Sequence, residues 1–220
     1  IGEALLKNTG KSEANFNEFV IAEDLLELAD LDVQNSFKIF FKDKFTSIKK
    51  VRLSKFDKAD IADNFRILQG NEVKENVIPW INQNNPYISP EINSRIEMAS
   101  KINADEIKAA KSFRTNLINE IETSLPEGLI ALFPTAPFSA PICGQDDASL
   151  GSYRKRLMEL TSTAGMTSRP QISLPYLKVE NKPVGISLLG WKYSDEILLN
   201  KKCPLWLIGD VFPCINSFAL

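Results

Sequence analysis

Histidine is missing from all 220 residues of the chain. Without it, the residues present cannot form a Ser-His-Asp or Cys-His mechanism, and the commonest neutral metal ligand is excluded as well. Cysteine is scarce: Cys143, Cys203 and Cys214 are odd in number and lack the close spacing of a zinc site or a redox pair. We therefore expect no metal and no cofactor, and a reducing cytoplasmic location.

Long apolar runs and a strong charge of either sign are also lacking. No stretch reaches the roughly 18 apolar residues of a membrane span, and the residues after Ile1 do not form a charged and then apolar leader. The formal net charge is −2, which gives no general attraction to nucleic acid or to an anionic membrane surface. The sequence thus predicts a soluble protein with neither kind of partner.

What is present is typical of a folded globular protein, with 44% apolar and 25% charged residues. A chain of this length buries roughly 70% of the surface that its unfolded form exposes, so its size permits a full core. The chain starts at Ile1 and not at a methionine. We interpret that start as an indication that the chain is one part of a larger intracellular enzyme.

Apolar periodicity predicts an α/β fold in which short strands are separated by long helices. The strand-like segments are apolar runs bounded by turn residues, and the helix-like segments carry apolar residues at helical spacing. Helix 23–41 is expected to be interrupted near Asp30. The predicted strands are 19–21, 47–53, 129–133, 171–174 and 184–189, and the predicted helices are 23–41, 59–80, 89–124 and 149–164.

Prolines and small polar residues set the predicted helix ends. Pro79 is expected to end the second helix, and residues 82–90 to form a turn-rich connection. Ser89 as N-cap and Pro90 at the first helical position then predict one continuous helix that runs to about Ser124.

A basic and aromatic segment lies between Phe37 and Lys58, where lysines and Arg52 interleave with phenylalanines. Such a pattern can bind single-stranded nucleic acid by charge and stacking. The alternative is an amphipathic helix and strand with solvated lysines, which the acidic balance of the whole chain favours.

The composition changes after Asn200. Residues 201–220 contain two prolines and two cysteines and show no clear period. We therefore predict one domain over residues 1–200 and a divergent tail over residues 201–220, with no repeat and no flexible linker that divides the chain.

Thr135 is the first candidate for a binding residue. It lies in Pro134-Thr135-Ala136-Pro137, directly after the predicted buried strand. The prolines there spare N–H groups that would have no partner, and the Thr135 hydroxyl can bond a nearby carbonyl or line a pocket. The alternatives are simple punctuation of the strand end and an exposed proline ligand.

Further candidates lie around residues 160–171. Thr161 and Ser162 are expected between a helix and a strand, where open α/β sheets commonly place ligand sites; a helix cap with a tight turn is the alternative. Gln171 is able to hydrogen-bond a ligand amide or only to satisfy backbone groups. The predicted substrate-binding residues are Thr135, Thr161, Ser162, Met166 and Gln171.

Six stretches together resemble the amidase signature family of serine hydrolases, which cleave carboxamide bonds. Their order and spacing are similar to the C-terminal half of such an enzyme, and the helices around Gln69 and Trp80 are most similar to the indole-3-acetamide hydrolase subgroup. The stretches are 65–72, 86–92 with Arg95 and Ile96, 134–137, 160–166, 170–175 and 183–188.

The resemblance implies a mixed central sheet flanked by helices, incomplete in this chain. Family members use a Ser, a second Ser in a cis peptide and a Lys as base, and the serines lie in a Gly-Gly-Ser-Ser-Gly-Gly segment. The chain has no Gly-Gly and no Ser-Ser dipeptide. The resemblance therefore implies no catalytic residue in this chain, and the chemistry belongs to an N-terminal half that precedes it.

Two functional hypotheses follow. In the first, the chain is the C-terminal region of a Ser-Ser-Lys amidase, inactive alone, with a small carboxamide as substrate and the N-terminal half as partner; this predicts exposed apolar strand edges, and a homo-oligomer is compatible with it. In the second, it is a noncatalytic pseudo-amidase module for binding or scaffolding. A glutamine amidotransferase role is disfavoured, because such relatives carry an acidic residue near the position of Met158, although Glu159 is adjacent.

Overall fold

The computed structural model describes residues 15–42, 44–144 and 147–199. It divides the chain into two compact units. The sheet unit comprises the described parts of Ile1–Leu53, Leu125–Ala140 and Ser168–Leu220, and the helical unit comprises Ser54–Ser124 and Pro141–Thr167. The predicted tail and two of the three cysteines lie outside the described residues, so the boundary at residue 200 stays a prediction.

The sheet unit is built on a five-stranded mixed sheet in the order β2-β1-β3-β5-β4. The strands β1, β2 and β3 are parallel to one another, whereas β5 is antiparallel to both of its neighbours. This arrangement confirms the predicted α/β class with a mixed sheet. The strands are β1 (Glu18–Ala22), β2 (Lys49–Val51), β3 (Leu129–Pro134), β4 (Gln171–Val179) and β5 (Lys182–Leu189); the helices are α1 (Glu23–Leu26), α2 (Leu31–Phe41), α3 (Lys44–Ser47) and, after β5, α9 (Asp195–Leu199).

The core of the sheet unit lies between one face of this sheet and α2. Alternate strand residues such as Leu132 and Ile186 point to that face, as the period of two in a strand requires. From α2 come Val33, Phe37 and Phe41 at spacings of four, and the rings of Phe37 and Phe41 lie 4.8 Å apart. The apolar face of α2 and the apolar face of the sheet are therefore buried against each other.

Strands β4 and β5 form a hairpin that is longer than the two predicted short strands. Its loop consists of Glu180 and Asn181, which have φ angles of 48° and 64°. Two consecutive left-handed residues are typical of the type I′ turn, whose twist matches that of the strands it joins. The ladder consequently continues to Val179 and Lys182, beyond the apolar runs from which the strands were predicted.

Both outer strands of the sheet differ from the exposed apolar edges that the fragment hypothesis predicts. In β2, which is only three residues long, the side chains of Lys49 and Lys50 are exposed. In β4, Pro175 is exposed and the pairing is irregular between Leu174 and Leu177. Short length, lysines, prolines and bulges all oppose pairing with another strand, so the edges described are protected.

The helical unit contains α4 (Lys58–Asn76), α5 (Ile78–Asn84), α6 (Pro90–Ser100), α7 (Ala104–Ser124) and α8 (Asp147–Thr167). The prediction that Pro79 ends a helix is wrong. Pro79 lies in the first turn of α5, where its missing N–H has no helical partner to lose, and the break falls instead at Val77. None of the described helices is both long and apolar enough to cross a membrane.

The single helix predicted from Ser89 to about Ser124 is two helices. Asn103 separates them: its side chain accepts from the N–H of Glu106, and its own N–H donates to the Glu106 carboxylate, both at 2.9 Å. This reciprocal pair is a capping box, which fixes the start of α7. Ser89 does occupy the predicted N-cap position of α6, but its side chain makes no capping hydrogen bond.

Two phenylalanine rings of the basic and aromatic segment are not available for stacking on bases. Phe37 and Phe41 are buried in the core of the sheet unit, which favours the amphipathic helix over the nucleic-acid interpretation. Of the basic residues, Arg52 donates to both carboxylate oxygens of Glu27, at 3.1 and 2.9 Å. That hydrogen bond, with the charge of Glu27, raises the pKa of Arg52.

Two leucine-to-alanine substitutions test this core. Leu132→Ala, at a fully buried position in β3, is expected to lower the free energy of unfolding by about 2–5 kcal/mol, because it removes buried methyl groups and leaves a cavity. Leu31→Ala is the matched control, since Leu31 is 76% exposed and its loss is expected to change stability by less than about 0.5 kcal/mol. Urea unfolding followed by circular dichroism measures both, and equal losses would contradict the assigned core.

Candidate functional site

The candidate site is built on the end of β3. Pro134 is the last residue of β3 and pairs with Ile186 of β5. The next residue, Thr135, donates its backbone N–H to the carbonyl oxygen of Gly185 at 2.7 Å, which extends the contact between the two strands by one residue. The side chain of Thr135 is thereby fixed at the point where the chain leaves the sheet.

Four polar side chains meet at this point. The Thr135 hydroxyl lies 2.8 Å from the hydroxyl of Ser173 and 2.9 Å from that of Ser187. Gln171 donates from Nε2 to the Ser187 hydroxyl at 2.7 Å. These four residues, called the hydroxyl network below, join β3, β4 and β5, and they bring together two of the predicted site residues, Thr135 and Gln171.

The register of the hairpin explains why they meet. Ser173 of β4 pairs directly with Ser187 of β5, and residues two apart on a strand share a face. Gln171 therefore stands on the face of Ser173. The intervening residues, such as Ile172 and Leu188, belong to the opposite face and pack in the core of the sheet unit.

Sequence reasoning missed Ser173 and Ser187. The signal was present, because polar and apolar residues alternate along Gln171-Ile172-Ser173-Leu174 and along Gly185-Ile186-Ser187-Leu188. Both runs are predicted as short strands from their apolar residues alone. The alternation indicates instead that one face of these two strands carries polar groups.

Gly185 is a condition for the hydroxyl network. A Cβ at this position would contact the Ser173 hydroxyl and lie 2.6 Å from the Thr135 hydroxyl, closer than any carbon and oxygen pack. Glycine inside a strand weakens it and often marks a place where other groups approach closely. Here the absent side chain leaves the space into which the two hydroxyls converge.

The other three predicted site residues belong to the helical unit. Thr161, Ser162 and Met166 were expected between a helix and a strand, but they lie within the last two turns of α8. The prediction of a connection there is wrong because Gly165 does not end the helix. A Cβ on Gly165 would lie 2.6 Å from the ring of Phe65 in α4, so this glycine permits two helices to pack closely.

The side chains of these residues have different environments. Thr161 donates to the carbonyl oxygen of Leu157 at 2.9 Å, one helical turn back. Ser162 is buried, and its hydroxyl has no hydrogen-bond partner in the part of the chain that the structure describes. Met166 is buried, and its carbonyl oxygen accepts from the guanidinium of Arg114 at 2.8 Å. A role in substrate binding stays a prediction for all five predicted residues.

Among the residues that the structure describes, no three His, Cys, Asp or Glu side chains gather closely enough to hold a metal ion.

Comparison with known proteins places the sequence beside two groups of relatives. Amidase 1 from Arabidopsis thaliana is 34% identical over 140 residues, which make up 64% of this chain and 33% of that protein. Outer envelope protein 64, chloroplastic, from the same plant is 22% identical over an alignment that covers 100% of this chain and 41% of that protein. The chain thus spans between about a third and two fifths of the length of these relatives. No family model matches it.

Solved structures resemble the fold. The crystal structure of an amidase superposes on 85% of this chain, and the superposed part makes up 44% of the amidase chain. The TM-score is 0.71 and the sequence identity is 21%. At that identity the similarity establishes the arrangement of strands and helices, and it again covers less than half of the larger protein.

Two glycine-to-alanine substitutions test the geometry of the hydroxyl network. Gly185→Ala is expected to lower the free energy of unfolding by about 1–3 kcal/mol, because its methyl group displaces the hydroxyls of Ser173 and Thr135. Gly151→Ala is the matched control: it lies inside α8 with no atom within 4 Å of a new methyl group, and is expected to raise stability by about 0.5–1 kcal/mol. Urea titrations give both values, and a neutral or stabilising Gly185→Ala would rule out the close approach.

Proposed function

Because the chain belongs to the amidase signature family, we propose that it is the C-terminal region of a carboxamide hydrolase whose nucleophile and base lie outside these residues. The similarity to Amidase 1 carries this proposal, since 34% identity over 140 residues accompanies a fold that resembles that of a solved amidase. The proposed substrate is a small linear carboxamide. An indole-3-acetamide hydrolase-like specificity and a cytoplasmic location are further parts of the proposal.

The requirements of amide hydrolysis support the proposal that the catalytic groups belong to another region of the protein. Amide hydrolysis requires a nucleophile, a base that takes its proton and N–H donors for the oxyanion. The chain contains no histidine, and no Gly-Gly or Ser-Ser dipeptide of the kind that the family uses for its nucleophile. We propose that the chain alone does not hydrolyse amides and that it supplies sheet strands, flanking helices and part of the substrate channel.

The exposed surface of the helical unit supports the proposal that another part of the same domain packs against it. No residue of α5 is buried, although the helix carries Ile78, Trp80 and Ile81, and Trp80 is 55% exposed. Tyr87, in the loop that follows, is 92% exposed. We propose that these exposed apolar side chains contact the N-terminal half of the same domain.

A noncatalytic binding or scaffold module is the second candidate. It is favoured by the similarity to outer envelope protein 64, which extends over the full length of this chain and whose name states no hydrolase activity. In that case the amidase fold is retained without the chemistry, as is common when one fold serves several functions.

Ammonia release from acetamide and indole-3-acetamide tests the first proposal against the second. The chain alone is expected to give no rate above buffer. The chain joined to the coding sequence that precedes it in the source DNA is expected to release ammonia, and replacement of the Ser-Ser pair of that segment by alanines is expected to abolish the rate.

Two results would overturn the proposal that this chain is the noncatalytic region of a hydrolase. The first is hydrolysis by the chain alone, because the catalytic groups would then lie within it. The second is an upstream sequence with neither a lysine-bearing strand nor a Gly-Gly-Ser-Ser-Gly-Gly segment, which would leave the scaffold module as the function.

A further inference from the structure

The hydrogen of the Ser187 hydroxyl can be assigned from burial. Ser187 is completely buried, and its hydroxyl contacts only Gln171 and Thr135 among the residues that the structure describes. A serine hydroxyl has one hydrogen to donate. Since Gln171 donates to Ser187, the Ser187 hydrogen has Thr135 as its acceptor, because otherwise a buried donor is left unpaired.

Thr135 accepts from Ser187, and its hydroxyl also hydrogen-bonds with that of Ser173, 2.8 Å away, where either group can be the donor. Ser173 is exposed on the outer strand, so its hydrogen can go to water. The direction of the hydrogen bond between Ser187 and Thr135 is thus set by which atom of the Gln171 amide faces Ser187.

This arrangement leaves one acceptor at the other end. With Nε2 directed at Ser187, the Oε1 oxygen of Gln171 has no hydrogen-bond partner in the described part of the chain, and the residue is only partly buried. We propose that Gln171 is a specificity residue, whose Oε1 accepts a hydrogen bond from the N–H of a small carboxamide while Ser187 and Thr135 hold the amide in position. This proposal rests on the proposed function, because it names the part of the substrate that the chain recognises.

The proposal makes a distinction between two ligands. Acetamide has N–H donors, whereas N,N-dimethylacetamide has the same carbonyl group and none. If Oε1 faces outward, acetamide binds more tightly than dimethylacetamide, because only acetamide can donate to Oε1. If the amide were reversed, so that Ser187 donated to Oε1, the outward group would be Nε2, and a ligand with only an acceptor would bind as well.

Titration of the isotope-labelled 220-residue chain, followed by NMR of the side-chain amide of Gln171, measures this choice. We expect acetamide at about 10 mM to shift the Gln171 resonances, since millimolar affinity is typical of so small a ligand. We expect dimethylacetamide to bind at least about tenfold more weakly, the value of one hydrogen bond. Equal shifts with both ligands, or no shift with either, would refute the proposal.

Three variants separate recognition from structural support, with the binding ratio of the two ligands as the readout. Because Gln171→Met lacks the side-chain amide, the ratio is measured for all variants from the backbone amide resonances of Ile172 and Gly185. Gln171→Met, of similar size without polar atoms, is expected to abolish acetamide binding at this position. Ser187→Ala leaves the Gln171 amide in place without its hydrogen-bond partner and is expected to bring the ratio close to one. Lys178→Ala, at an exposed position of β4 outside the network, is the matched control and is expected to keep the ratio within about twofold of the original.

The folded state of each variant is checked by the dispersion of its amide spectrum. Should Ser187→Ala fail to fold, the two ligands and Gln171→Met, which alters a partly exposed position, still decide the matter. Selective acetamide binding without ammonia release by the joined protein would overturn the hydrolase proposal alone. Ammonia release that Gln171→Met leaves unchanged in rate and in KM would overturn the role of Gln171 alone.

Discussion

The antiparallel register of β5 between β3 and β4 is the constraint on which the rest of the structure depends. It pairs Ser187 with Ser173 on one side and with Phe133 on the other. A shift of one residue would move every side chain of β5 to the opposite face of the sheet. Ile186 and Leu188 would then leave the core that α2 covers, and Ser187 would enter it. The core and the hydroxyl network are thus two faces of one register.

Two glycines permit close contacts, one between neighbouring strands of the sheet and one between two helices. Gly185 leaves room for hydroxyls from two neighbouring strands, and Gly165 leaves room for the ring of Phe65. In both cases the backbone conformation is ordinary, so the glycine is required by what approaches it and not by its own φ angle. A sequence pattern shows where a glycine is, but the approaching group is distant along the chain. For this reason the sequence predicts a helix end near residue 164, whereas α8 continues through Gly165 to Thr167.

The fold was predictable from the sequence wherever a signal is local and long. Strand β3 was found because its apolar run is bounded by turn residues, and α2 because its apolar residues keep helical spacing. Helix ends were less predictable, since they depend on single hydrogen bonds such as the pair between Asn103 and Glu106. Of the candidate site, Thr135 and Gln171 were predicted and are joined through Ser187. Ser173 and Ser187 were missed as site residues. Their approach to Thr135 depends on which strands pair, and composition does not specify that pairing.

The polar character of the network is itself an argument for its use. Replacing hydrogen-bonded partners by apolar groups of the same shape is often neutral for stability, because each intramolecular hydrogen bond contributes only about 1 kcal/mol net. Gly185 inside β5 adds a further cost in chain entropy. An apolar version of this face, with a larger residue at position 185, would serve the sheet at least as well. The presence of three hydroxyls, one amide and a glycine at adjoining positions is therefore what we expect if Gln171 binds a substrate amide, as proposed above.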